Sequence, residues 1–507
     1  MFRILTRVMK TTSVFASGLL MCVLMAPFLM FAVPFAWSQP FDSNNVSMYA
    51  WIKPGDVGAS GGNDCWGYTS PTGREYALMG FNNKITIVEI TDPANPVIVK
   101  SIGHSDSLWG DVKVYRDFCY VVNESGGGVQ AIDLSNIDNG QAVLVSSFGP
   151  GASHNIAINE DSGFLYAVGS SLNGGRPVAY DLRTNPGNPT EAGRISSQQG
   201  SYIHDAQIVT MTDGREIMFG ASEGRGVDIY DVSDKQNMVK LSRTTYPGLS
   251  YCHQMWTNDD HTILYVDDEL DELNGYTQTT RTLVFDVSDL TNPVLVNTFT
   301  TGLPAIDHNL YYKDGFVYES NYTTGLHIFD ARTDPINPTE VGFFDTYTES
   351  NGLGFAGAWN VYPFFPSGTV IVSDLDRGLF ILDVSQAVPH DCLALDSTPI
   401  IAGQSSDFTV TGGTAGARVV VLYGFQTGQL LSCQQGDTWC VDFGIDIPIS
   451  EVNKRIVVQG TFDGIGSFMQ SRFIPNNASQ KHVLMQAAES DTFPDPCMSN
   501  LLEVVIQ

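Results

Sequence analysis

The chain reads as an all-β protein, a seven-bladed β-propeller followed by a small β-sandwich-like C-terminal domain. Three observations predict this. An apolar strand ending in an acidic residue and a turn recurs seven times, at Glu89, Asp133, Asp181, Asp231, Asp286, Asp330 and Asp383. The spacing of 44 to 55 residues is that of a multi-stranded repeat unit. Between the marks lie short alternating runs rich in β-branched and aromatic residues, with 49 Gly and 24 Pro along the chain and no helical period of useful length.

Taken in order, residues 1–38 read as a signal peptide. Arg3, Arg7 and Lys10 precede an uncharged apolar run from Val14 to Trp37, and Ala36-Trp37-Ser38 offers a small-x-small cleavage site. An uncleaved membrane anchor is the competing reading of a run this long, and Pro27 and Pro34 inside it favour the signal. Export to the cell surface or the medium is expected, with no membrane span after cleavage. Residues 39–388 hold the propeller. Tyr49–Ile52 could add an outer strand to the last blade and lock the ring, which removes sheet edges.

Each unit reads as four strands. In the fourth they are Asp205–Thr210, Glu216–Gly220, Val227–Val232 and Met238–Thr244. The acidic residue after each third strand is expected to accept backbone N–H groups two residues on, as an Asx turn. Asn-Pro pairs at 95–96, 188–189, 292–293 and 337–338 start outer strands, where a missing N–H does least harm. The pattern stops near Pro389. Residues 389–507 read as a β-sandwich with strands such as Asp407–Thr411, Ala417–Leu422, Arg455–Gly460 and Ser467–Phe473.

Formal net charge is −29, and −32 once residues 1–38 are removed, since that segment holds three basic residues and no acidic one. Such a balance argues against nucleic acid and anionic membrane surfaces as partners. Seven cysteines follow residue 38, and in an exported chain disulfides are expected. Cys433–Cys440, Cys392–Cys497 and Cys65–Cys119 are the pairings considered, leaving Cys252 over.

The candidate site comes from the repeat register. His154, His204, His253 and His308 occupy one position of four successive units, with Gly110 and Trp359 in the same column. The next column holds Asp111, Asn155, Asp205, Gln254, Asn309 and Asn360, all polar. In a propeller the first strand of each blade lines the channel, so these columns fall at one mouth. Loops expected at that mouth carry Glu124, Glu223, Asp267, Asp268, Glu269, Asp374 and Asp376, with Arg176, Arg225, Arg281 and Arg377. Asp111, Asn155, Asp205, Gln254 and Asn309 are read as ligand-binding. The four His are read as metal ligands, for a transition metal, or as staples between blades. The acidic stretch 266–272 lacks the glycine spacing of an EF-hand, and either binds Ca²⁺ between carboxylates or is a solvated charge run. No complete catalytic constellation can be written. Cys252-His253 is not a nucleophile pair, because neighbours on a strand point to opposite faces.

Several stretches together resemble the choice-of-anchor B family of exported bacterial proteins, which overlaps the group described by LVIVD repeats. They are Asn63-Asp64-Cys65-Trp66-Gly67-Tyr68, Ser107-Leu108-Trp109-Gly110-Asp111-Val112-Lys113, the His-Asn and His-Asp strand starts, and the Asp-Val-Ser…Asn-Pro turns. The resemblance covers roughly residues 45–388. It implies a secreted or surface propeller with a variable C-terminal attachment and no particular activity. Two functions are therefore expected to compete. One is a binding or scaffold module recognising a protein, glycan or small ligand at the mouth and loops. The other is a metal-dependent hydrolase or lyase working at the His cluster.

Overall fold

A computed structural model describes residues 41–388 and, beyond them, 391–412, 417–425, 427–433, 440–445, 456–461, 463, 467–489, 498–499 and 502–506. The signal peptide expected at 1–38 lies outside the described residues, as does Cys497.

Seven antiparallel sheets succeed one another between Gly62 and Asp383. The fourth is typical, with strands Ala206–Thr210, Glu216–Ala221, Val227–Asp231 and Val239–Thr244. The middle strands of the sheets are buried on both faces, whereas outer strands such as Val97–Gly103 stand largely in solvent. This is why the second and third strands are mainly apolar and the fourth are mixed. First strands meet around a closed circuit, the innermost strand of the last sheet, Ala358–Tyr362, lying against that of the first, Gly62–Thr69. That arrangement is a propeller.

The expected Asx turns are present. Asp133, Asp181, Asp231, Asp286, Asp330 and Asp383 each accept the N–H two residues on, at 2.8–3.0 Å. Glu89 departs from the pattern. Its carboxylate, one methylene longer, bonds the Arg74 guanidinium instead. Buried tyrosines stitch adjacent sheets. Tyr120 donates to the Pro186 carbonyl at 2.8 Å, Tyr166 to Glu216 at 2.6 Å and Tyr265 to the Pro335 carbonyl at 2.7 Å.

The ring closes through the segment before the repeats. Ser47–Ile52 pairs antiparallel with Gly378–Asp383 and completes the last sheet, while Ser43–Asn44 extends the one before it along Thr339–Phe344. Trp51 stacks on Phe380 at 5.4 Å and donates its indole N–H to the Arg377 carbonyl at 2.7 Å. Phe41 wedges between Trp51, Phe344 and Phe380. At the same seam Gly67 faces Tyr362 so closely that a Cβ would lie 2.0 Å from its ring, so only glycine fits.

The expected Cys65–Cys119 disulfide is not formed. Both are free, buried thiols. Cys65 follows a bulge in the first strand and points its sulfur at the Asn360 carbonyl, 3.8 Å away. Cys119 sits on the adjacent sheet, in Phe118–Asn123, and packs in the apolar core. Cys252, left unpaired in the sequence reading, is also a free buried thiol. In the C-terminal part Cys433 and Cys440 stand directly opposite in a two-stranded ladder. There Arg418–Gly424 and His482–Glu489 pair at the centre of a larger sheet, over a core that includes Phe408, Val421 and Met485.

The latch yields a first expectation. Trp51→Ala should lower unfolding free energy by about 2–3 kcal/mol, the low side of large-to-small aromatic truncations because the ring is half-buried. Chemical denaturation followed by tryptophan fluorescence and circular dichroism measures it.

Candidate functional site

The two columns picked from the sequence do converge. The imidazoles of His154, His204, His253 and His308 form a continuous row around one mouth, with ring centroids 4.1, 4.5 and 4.4 Å apart. Trp359 continues it at 4.7 Å from His308. Each Nδ1 is engaged. His154 meets Glu124 at 2.7 Å, and His204 meets the Tyr251 hydroxyl at 3.1 Å. His253 reaches the His308 carbonyl at 2.9 Å, and His308 the Trp359 carbonyl at 2.7 Å.

Those last two bonds fix chemistry as well as position. A carbonyl only accepts, so Nδ1 of His253 and His308 must carry the proton and donate it. Nε2 of each neutral ring is then left with a bare lone pair. Both face the Glu269 carboxylate at 3.9 Å. Glu269 is held by the Tyr322 hydroxyl at 2.6 Å, and its own N–H donates to the Tyr251 carbonyl. Burial, reinforced for His204 and His308 by neighbouring imidazoles, pushes His204, His253 and His308 below the usual histidine range and favours the neutral form. Two neutral imidazoles and a carboxylate make a donor set for Zn²⁺, Mn²⁺ or Fe²⁺.

The second column works differently along its length. Asp111 accepts the Ile156 N–H of the next sheet at 2.9 Å, and Gln254 the Leu310 N–H at 3.1 Å. Asn309 donates to the Trp359 carbonyl at 2.9 Å. Asp64, in the first sheet, accepts from Val112 at 2.8 Å in the same manner. These side chains hold neighbouring sheets together. Asn155 and Asp205 make no such cross-sheet bond. The Asn155 side-chain oxygen has no partner, and burial pushes the Asp205 carboxyl up to about 7.

Beneath lies a layer two residues further along each strand. Lys113 bonds Asp111, lies 3.6 Å from Asp64 and stacks over Trp66. Trp66, Trp256, Tyr311, Tyr362 and Phe364 fill the channel with edge-to-face contacts. Between this plug and the histidines remains a cavity of about 20 Å³, lined by Asp64, Asp111, Asn155, Asp205, His253, His308 and Asn309 among others. That is room for one water or one ion and no organic molecule.

A ligand-sized space lies instead among the mouth loops. A cleft of about 590 Å³ is lined by Arg176, Arg225, Lys240 and Arg243, with Gln198, Gln199, Ser201 and Tyr202. Asp228, fully buried beneath it, binds Arg243 at 2.6 Å and Lys240 at 2.9 Å. Arg176 donates to the Asn173 side-chain oxygen at 3.2 Å, and among the described residues its Nε has no partner. Among the remaining mouth-loop residues, Glu223 accepts from Tyr251, Arg281 pairs with Asp271, Arg377 pairs with Glu349, and Asp374 is occupied by the N–H groups of its own turn.

The LVIVD repeat family model matches residues 74–103 and 282–301. No curated protein sequence matches the chain. Among solved structures, the chain is similar to the periplasmic gluconolactonase of Pseudomonas aeruginosa, at 13% identity over 84% of this chain and 97% of that one, TM-score 0.44. It is also similar to Sqt1 of Saccharomyces cerevisiae, at 13% identity over 62% and 82%, TM-score 0.42. Hydrazine synthase of Kuenenia stuttgartiensis is matched at 16% identity over 53% and 84%, TM-score 0.37.

The cleft floor sets an acid limit. Burial raises the Asp228 carboxyl, but the bonds from Arg243 and Lys240 outweigh it and hold the group down to about 2. A folded value below the unfolded 3.8 means stabilisation that is present above pH 3.8 and lost as pH falls through 2. The difference corresponds to about 2 kcal/mol. Asp228→Asn should remove that part of the acid dependence between pH 4 and 2, measured by denaturant titration at stepped pH. It should also cost stability at neutral pH by stranding two cations.

Proposed function

We propose that this chain is an exported binding module of the choice-of-anchor B type. In this reading residues 39–388 form a seven-bladed propeller carrying a β-sandwich-like domain at 389–507, and the loops at the histidine mouth recognise an anionic glycan. One observation carries the ligand class. In a chain of net charge −29, four cationic side chains line a single cleft whose lining includes no carboxylate, with Asp228 beneath two of them. The Arg forks and amide and hydroxyl groups suit carboxylates and sugar hydroxyls, and Tyr202 offers an aromatic face. The acidic remainder of the surface repels anionic ligands elsewhere and concentrates them at this cleft.

The test is calorimetric titration with an oligosaccharide of galacturonic acid, against its neutral galactose counterpart. The acidic sugar should bind, weaken with added salt and lose at least tenfold in affinity in Arg176→Ala and Arg225→Ala. A tenfold loss is about 1.4 kcal/mol, the low end for one charge-assisted contact. Equal binding of the neutral sugar, or full affinity in both variants, would sink the assignment.

A second reading, a metal-dependent enzyme, is favoured by the paired bare Nε2 atoms facing Glu269. His253, His308 and Glu269 would hold the ion, which would supply Lewis acidity or a bound hydroxide. The 20 Å³ cavity leaves room beside them only for water, so any substrate would have to approach from the open mouth. Elemental mass spectrometry on chain purified without chelator decides it. Near one equivalent of transition metal, lost in His253→Ala and Glu269→Gln, is the expected result for this reading. Absence of metal, with a lower melting temperature in His253→Ala, makes the histidines structural.

A further inference from the structure

The turn that presents Glu269 conceals a second group of acidic residues that neither reading uses. Asp267, Asp271 and Glu272 lie in or just after the strand Ile263–Asp268, and Asp307 comes from the approach to the first strand of the next sheet. Asp267, Asp271 and Asp307 are fully buried and Glu272 is 4% exposed. One carboxylate oxygen from each of Asp271, Glu272 and Asp307 lies within 4.8 Å of the other two. Carboxylates so placed repel one another and have no water to screen them.

Their hydrogen bonds do not resolve this. Asp268 is satisfied, accepting the Tyr246 hydroxyl at 2.9 Å and the N–H groups of Ser250 and Tyr251 at 2.8 and 2.6 Å. Asp307 is anchored by the N–H of Asp268 at 3.1 Å and of Arg281 at 2.7 Å. Arg281 binds one oxygen of Asp271 at 2.8 Å. The other oxygen of Asp271, both of Glu272 and both of Asp267 have no partner. The nearest hydroxyl, on Thr282, gives its single proton to Glu319.

We propose that Asp271, Glu272 and Asp307 form a calcium site that pins the turn of the fifth sheet to the sixth. The three ligand carboxylates and the Arg281 guanidinium sum to two negative charges, which one divalent ion neutralises, and the buried Asp267 beside them adds to the demand for a cation. The donors are oxygens only, which selects a hard cation over zinc or copper. Mg²⁺ keeps several waters in a near-ideal octahedron, whereas Ca²⁺ accepts irregular, carboxylate-rich shells at 2.3–2.6 Å, which suits donors this deeply buried. The site is independent of the anionic-glycan reading and separate from the histidine donors, although the same turn carries Glu269.

The experiment uses the intact purified chain. Bound calcium is measured by elemental analysis after dialysis, then the chain is stripped with EGTA and titrated with Ca²⁺ or Mg²⁺ while melting temperature is followed. One equivalent of calcium should be retained. Stripping should lower the melting temperature by several degrees, Ca²⁺ should restore it, and Mg²⁺ at equal concentration should not. Glu272→Gln should weaken calcium binding at least tenfold. Should that variant fail to fold, the wild-type titration still decides. No stoichiometric calcium at 1 mM free ion would overturn the proposal, as would unchanged calcium binding by a folded Glu272→Gln chain. In either case the cluster holds protons rather than an ion. Loss of calcium from Glu272→Gln with galacturonate binding intact separates this site from the cleft.

Discussion

The ring depends on polar side chains that leave one sheet and satisfy backbone groups of the next. Asp64 holds Val112, Asp111 holds Ile156, Gln254 holds Leu310, and Asn309 holds the Trp359 carbonyl. Each sheet's first strand is its inner edge, with no further strand of its own sheet beside it. Such an edge leaves backbone N–H groups facing the axis, which must be satisfied. Short polar side chains meet this demand. Further from the axis, tyrosines such as Tyr120 and Tyr265 do the equivalent work across a longer gap.

Much of this was legible in the sequence because it repeats. Seven acid-terminated strands marked the units, the six that end in Asp made Asx turns, and Tyr49–Ile52 formed the closing strand with only its first residues missed. The histidines and the polar column meet at one mouth as their register required. What the register could not reveal was division of labour. Asp111 and Asn155 occupy equivalent positions and both line the cavity, yet only Asp111 is bonded to the neighbouring sheet.

Two features escaped for identifiable reasons. The register shift between Cys252 and Gln254, which places His253 in a bulge, has no mark in the residue pattern. The plug layer of Trp66, Lys113, Trp256, Tyr311 and Tyr362 also went unread, because mixed aromatic and cationic residues show no common type. The signal lay in position alone, two residues beyond the polar column in five of the units. The Cys65–Cys119 pairing failed because an export signal argues for oxidation in general and says nothing about which sulfurs a fold keeps apart.

The closing strand orders events in time. Ser47 pairs with Asp383, so the outer edge of the last sheet waits for residues made near the start of synthesis to be met by residues made more than three hundred positions later. Contacts so distant along the chain come late in folding. Until then Phe41 and Trp51 have no partners and the last sheet has an open edge, a template for pairing with another molecule. A polypeptide built this way remains an open object until its last sheet has been made and its first residues have returned to it.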